Sequence, residues 1–274
     1  MRKNRTILPE MYLIFLLLLM YLPIVVVVVY SFNDSKLFQW SGFTLDWYRE
    51  LLKNKSIQEA FWNSIQLAVL SSALAATLGT VGAVAMAGRH FKAKGLVENM
   101  ATIPIMIPEI ILGMAYLAFF TLVKIPFGMI TLVLAHTTFC VPYIYINVKA
   151  RLMGMDPSIG EAALDLGASR RRMFFDITLP MITPAIASGT MLAFAMSMDD
   201  VVISFFATGP ETSTLPLQIY SMLKMGVTPE INAICTLMLG AVFLIVALSR
   251  LVRLRPRRGS HTQVLETTRK DGKS

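Results

Sequence analysis

Six long apolar stretches decide what this chain can fold into. A helix that crosses a bilayer needs about 20 mainly apolar residues, since no water is present in the hydrocarbon to satisfy a broken backbone hydrogen bond. Stretches of that length cover residues 11–31, 63–87, 98–121, 127–148, 184–206 and 231–251. The first, with LIFLLLLMYLPIVVVVVY inside it, follows Arg2, Lys3 and Arg5 as the core of a secretory leader would. It is too long for that, and no small-x-small cleavage site follows Tyr30, so it is expected to stay as an uncleaved first helix. The predicted fold class is therefore an all-α integral membrane protein with six transmembrane helices. Only 15% of the residues are charged and 55% are hydrophobic, too few charges to coat a soluble enzyme and too much apolar surface for a disordered chain. Cys140 and Cys235 both lie inside apolar runs, which argues against a disulfide scaffold.

The chain is nonetheless basic, with 25 Lys+Arg against 17 Asp+Glu. Alternating the spans places Lys36, Arg49, Lys53, Lys55, Lys124 and Lys224 on one side and all the other Lys and Arg residues on the other. The positive-inside rule makes the richer side cytoplasmic and puts both termini there. This charge orients the helices and attracts anionic membrane lipid. It is dispersed and has no aromatics interleaved with it, so no nucleic-acid partner is expected. The cluster Arg253, Arg255, Arg257 and Arg258 reads as a stop-transfer anchor.

One cytoplasmic connection, residues 149–183, is too long to be a simple turn. Asp156-Pro157 pairs an N-cap with a proline at the first helical position, Glu161, Ala162, Ala163 and Leu164 favour helix, and Gly167 is a C-terminal stop. A second short helix is expected from Ser169 to Thr178, closed by Leu179-Pro180. An amphipathic loop lying on the membrane surface is the plain physical reading.

Glu161-Ala162-Ala163, Gly167, Ile177, Leu179 and Pro180 at these spacings resemble the EAA signature of the membrane subunits of bacterial ABC importers. The resemblance implies a type I ABC importer permease fold in the bacterial inner (cytoplasmic) membrane. It also implies that Glu161, Ala162, Ala163, Leu164 and Gly167 dock a cytoplasmic ATPase subunit. It divides the chain into residues 1–59 (tail, first helix and outer loop), 60–249 (the transmembrane core with loop 149–183) and 250–274 (a basic cytoplasmic tail). No Gly-x4-Gly-Lys-Ser/Thr loop is present, so ATP and Mg are expected on a partner ATPase, with no cofactor and no enzymatic activity in this chain.

Three carboxylates fall inside the apolar runs: Glu109, just after Pro104 and Pro108, which are expected to interrupt the third helix, and the adjacent pair Asp199 and Asp200. The two runs that hold them contain no Lys or Arg, so no neutralising partner is expected in this chain. Such carboxylates mark a path for a cation, or else meet cationic residues of another subunit or sit protonated and packed. Ser197 and Asp200 are three residues apart and share a helix face. The segment AFAMSMDDVVISFFATGP (193–210), together with 214–233 and 32–52, resembles the permeases of spermidine/putrescine importers. That resemblance implies a polyamine substrate, an external polyamine-binding protein, two ATPase subunits and a second homologous permease. It makes Glu109, Ser197, Asp199 and Asp200 candidates for the substrate path. Trp47, Phe205, Phe206 and Tyr220 are candidates for an aromatic gate, or for the ordinary aromatic belt at the membrane interface. His136 is expected to make a helix-packing hydrogen bond, and no metal-ligand spacing accompanies it. Two rivals stand beside this reading: an ABC permease for another small cationic or neutral solute, and a proton-coupled secondary transporter.

Overall fold

The computed structural model describes residues 7–35, 39–88 and 91–253. The N-terminal Arg2, Lys3 and Arg5, together with Lys36, Arg89 and the basic tail from residue 254, lie outside the described residues. The described chain is helical, with one isolated β-bridge between Asn33 and Phe43. It separates into two compact units, residues 1–51 with 227–274, and residues 52–226.

The first unit contains α1 (Ile7–Tyr30), α2 (Asp46–Leu51) and the long C-terminal helix Pro229–Arg253, which packs against both. Within α1, the apolar side chains from Met11 to Leu22 are exposed, as suits a helix whose surroundings are lipid or another subunit. The loop after α1 is organised by Asn33. Its amide donates to the Gln39 carbonyl (3.0 Å), its Oδ1 accepts the Ser41 N–H (3.0 Å), and its carbonyl accepts the Trp47 indole N–H (2.8 Å).

The second unit runs α3 (Lys55–Met86), α4 (Lys94–Met106), α5 (Glu109–Val123), α6 (Met129–Met153), α7 (Pro157–Asp165), α8 (Arg170–Met173), α9 (Leu179–Asp199), α10 (Val202–Ala207) and α11 (Leu215–Lys224); the C-terminal helix of the first unit is α12. Its core is the mutual packing of α3, α6 and α9 around Leu67, Leu132, Ile144 and Ile182, all fully buried. Small residues let these backbones approach closely, the usual basis of helix association in membranes. A Cβ on Gly79 would stand 3.0 Å from the Ile144 side chain and from the Val141 carbonyl oxygen, and one on Gly189 would stand 3.2 Å from the Ile144 Cα.

Four described helices are long and apolar enough to cross a membrane, and a fifth is added if α4 and α5 count as one bent span. The third apolar run is thus not straight: it turns by 105° at Ile107-Pro108. Pro108 has no N–H, and it biases Ile107 into the extended conformation seen there (ψ 131°). The fifth run, expected as one helix over 184–206, stops at Asp199 and restarts at Val202. The sixth run forms α12, which spans Pro229–Arg253.

The short helix expected over Ser169–Thr178 does not close at Leu179-Pro180. It continues from α8 through a π-helical turn at Phe174–Thr178 directly into α9. A proline ring in a regular α-helix collides with the carbonyl four residues back, here that of Asp176, and the wider π-turn makes room for it. Pro180 therefore begins α9 instead of ending its predecessor.

Candidate functional site

The second unit carries a buried polar chain that links four helices through side-chain hydrogen bonds. Ser71 on α3 donates to the Leu67 carbonyl (2.7 Å), and its Oγ lies 3.2 Å from the Ser197 hydroxyl on α9. Ser197 Oγ lies 2.8 Å from His136 Nδ1 on α6, and His136 Nε2 lies 3.2 Å from Ser204 Oγ on α10 and 3.4 Å from Asp200 Oδ2. The two carboxylate oxygens of Asp200 then accept backbone N–H groups, Oδ1 from Ile203 (3.1 Å) and Oδ2 from Ser204 (2.7 Å). Asp200 thus caps α10, satisfying N–H groups that the start of any helix leaves without partners. All five residues are buried. The expectation that no group in this chain could pair with the intramembrane carboxylates is corrected at Asp200, whose partner is His136. An uncharged imidazole on another helix is no basic residue, so a count of Lys and Arg does not register it. His136 makes the helix-packing bonds expected of it, to α9 and α10 at once.

The structure divides the four path candidates. Ser197 and Asp200 converge on His136 and face inward. Asp199, the last residue of α9, is exposed. Glu109 is exposed too, and opens α5 immediately after the bend at Pro108. A carboxylate in the first helical turn is favoured by the N–H groups pointing toward it. The two exposed intramembrane carboxylates therefore both stand at helix breaks, the places where irregular backbone inside a membrane normally borders a cavity.

The four aromatic candidates also separate. Trp47 is buried and spends its indole N–H on the Asn33 carbonyl, so it packs the loop after α1. Phe206 wedges against α5, with its ring over Gly113, where a Cβ would meet the ring at 2.5 Å. Phe205 and Tyr220 are half exposed. The Lys224 ammonium lies 5.9 Å from the centre of the Phe205 ring and 4.7 Å from that of Tyr220, so both faces already attract a cation.

The loop after α6 has the shape its sequence predicts. Asp156 Oδ1 accepts the Ser158 N–H (2.9 Å) with Pro157 at the first position of α7. At the other end Gly167 is left-handed (φ 83°), and bonds from Gly167 N–H to the Leu164 carbonyl (2.9 Å) and from Ala168 N–H to the Ala163 carbonyl (3.0 Å) close a Schellman motif. Ala163 packs inward while Glu161, Ala162, Leu164 and Leu166 are exposed. Among the described residues no group of three His, Cys, Asp or Glu side chains could hold a metal.

The family model for the inner membrane component of binding-protein-dependent transport systems matches residues 75–255. The chain belongs to that family. This permease is 42% identical over 234 residues to the spermidine/putrescine transport system permease protein PotC of Escherichia coli K12, covering 85% of this chain and 89% of the relative. It is 44% identical over 232 residues to the putrescine transport system permease protein PotI of the same strain, covering 81% and 82%. Among solved structures it resembles a chain of a bacterial ABC transporter that imports the acidic polysaccharide alginate (TM-score 0.70, 14% identity, 93% and 98% of the two chains). A similar match is found in the alginate transporter complexed with its pentasaccharide-bound periplasmic protein (TM-score 0.69, 18% identity, 88% and 90%). These likenesses establish an all-helical, multi-pass permease of the inner membrane with the type I importer fold, a transport subunit and not an enzyme.

Proposed function

We propose that the chain is one permease subunit of an ATP-driven importer of polyamines such as spermidine and putrescine. The observation that carries the substrate class is the pair of exposed carboxylates at helix breaks, Glu109 and Asp199, in spans that contain no Lys or Arg. Such a wall is matched by a flexible polycation, whose ammonium groups pair with carboxylates and whose methylene spacers tolerate apolar and aromatic surfaces. An anionic solute would be repelled. In this reading Ser197 and Asp200 support the path from behind, and the half-exposed Phe205 and Tyr220, with Phe206 behind them, border its outer mouth.

The remaining parts follow the same frame. The chain crosses the membrane six times, with α12 completing the last span and both termini in the cytoplasm. A second homologous permease supplies the other half of the path, an external polyamine-binding protein delivers substrate, and ATPase subunits dock on Glu161, Ala162, Ala163, Leu164 and Gly167. The test is uptake of labelled spermidine and putrescine by cells carrying Asp199→Asn. Loss of one charge-assisted contact is expected to raise the half-saturating concentration by about tenfold while membrane levels of the subunit hold. Unchanged uptake would remove Asp199 from the path.

A further inference from the structure

The break between α9 and α10 is not made by glycine or proline. From Thr190 to Thr208 there is neither glycine nor proline, and a continuous helix would let Ile203 and Ser204 N–H bond to the carbonyls of Asp199 and Asp200. The Asp200 side chain takes both of those N–H groups instead. A buried carboxylate is expensive unless it is itself paired, so this substitution depends on what holds Asp200 in place.

His136 is that partner, and it grips both sides of the break: Ser197 in the last turn of α9, Ser204 and Asp200 at the start of α10. One tautomer fits both ring contacts: Ser197 donates to Nδ1, and the Nε2 proton turns toward Asp200 Oδ2 and Ser204 Oγ. The outcome is that two adjacent carboxylates are sent opposite ways, Asp200 inward and Asp199 outward.

We propose that His136 is a positioning residue for the cation path: by holding Asp200 on α10 and Ser197 on α9 it keeps the break open and leaves Asp199 as the carboxylate offered to an ammonium group. The proposal rests on the reading of Asp199 as a path residue, so its main test needs no substrate. In the complete transporter with Cys140 and Cys235 replaced by Ala, Asp199→Cys is titrated with a cationic methanethiosulfonate. Adding His136→Leu removes every polar bond of the ring and is expected to change the labelling rate by about threefold or more, the scale of one lost hydrogen bond. His136→Gln, which keeps an acceptor for Ser197 and a donor for Asp200, returns the rate toward the parent value. Asp200→Asn gives a second route to the same change if His136→Leu fails to assemble. A rate unmoved in both assembled variants, or one that His136→Gln shifts as far as His136→Leu does, overturns the proposal. A second arm addresses transport. His136→Leu raises the half-saturating polyamine concentration in the parent background but adds nothing to Asp199→Asn, because the two act through one group. Additive effects would show His136 working elsewhere.

Discussion

Ile144 shows how little slack the core leaves at the residue scale. Gly79 on α3 and Gly189 on α9 both approach it on α6, and each lacks the one atom that would collide. At Gly79 the obstruction includes the Val141 carbonyl oxygen, which cannot rotate away. Gly79→Val should therefore destabilise the purified subunit by about 1–3 kcal/mol, the range for overpacking a filled core, seen as a lower thermal unfolding midpoint in detergent. An unchanged midpoint would mean that α3 and α6 are less closely packed than their backbones indicate. The same scale explains what sequence reasoning could see of the site. Asp199, Asp200, Ser197 and Glu109 stood out because charge inside an apolar run is conspicuous. Their division into exposed and buried did not, because it depends on His136 and Ser71, which are 61 and 126 residues from Ser197 along the chain. A single histidine in an apolar helix gives no sign of which helix it will face.

Elements were legible where their boundaries are made by neighbours in sequence. The caps of α7 are of that kind, both lying within a few residues of the helix they bound, and so is the bend before α5, which Pro108 imposes directly. The break after Asp199 and the π-turn before Pro180 were not, since the Asp200 cap that makes the first is held in place by His136 from another helix and the second allows a helix to continue through a residue that ordinarily stops one. The local origin of the α7 caps makes a prediction about this element alone. Asp156→Ala removes the acceptor for Ser158 N–H and should speed amide hydrogen exchange in the first turn of α7, whereas Asp156→Asn, still an acceptor, should not. Gly167→Ala forces a side chain into the left-handed region at a strain of roughly 1–2 kcal/mol and should loosen the other end. The bonds from the Ser158 backbone N–H and hydroxyl hold the Asp156 carboxyl below its ordinary range. A depressed folded-state value means that the cap's contribution is fully present above the ordinary carboxylate pKa of about 3.9 and is lost only as pH falls through the lower folded value. Exchange in α7 should accordingly be governed by the intrinsic chemistry alone between about pH 5 and 8, with no further opening on mild acidification. A cap that weakened already at pH 5 would contradict the bonding seen at Asp156.

At the scale of the whole molecule the positive charge and the negative charge do different work. By the positive-inside count most Lys and Arg residues fall on the side assigned to the cytoplasm, where α7 lies, while the exposed carboxylates within spans are left without basic neighbours in those spans. A proton-coupled transporter would use the same carboxylates but would have no need of α7, a capped helix whose Ala163 anchors it and whose Leu164 and the adjoining Leu166 are left bare. These two leucines, beside the family's docking sequence, offer apolar surface that a partner can bury. If that partner is an ATPase, replacing Leu164 with Asp should leave the subunit in the membrane and paired with its fellow permease, yet reduce co-purification of the ATPase by about tenfold or more, the effect of burying a charge in an apolar contact. Uptake should fall in parallel, and ATP hydrolysis by the remaining complex should no longer respond to the loaded binding protein. Retention of both coupling and uptake in Leu164→Asp would place the drive for transport elsewhere, and uptake that persists in membranes stripped of ATPase subunits would favour the proton-coupled alternative outright.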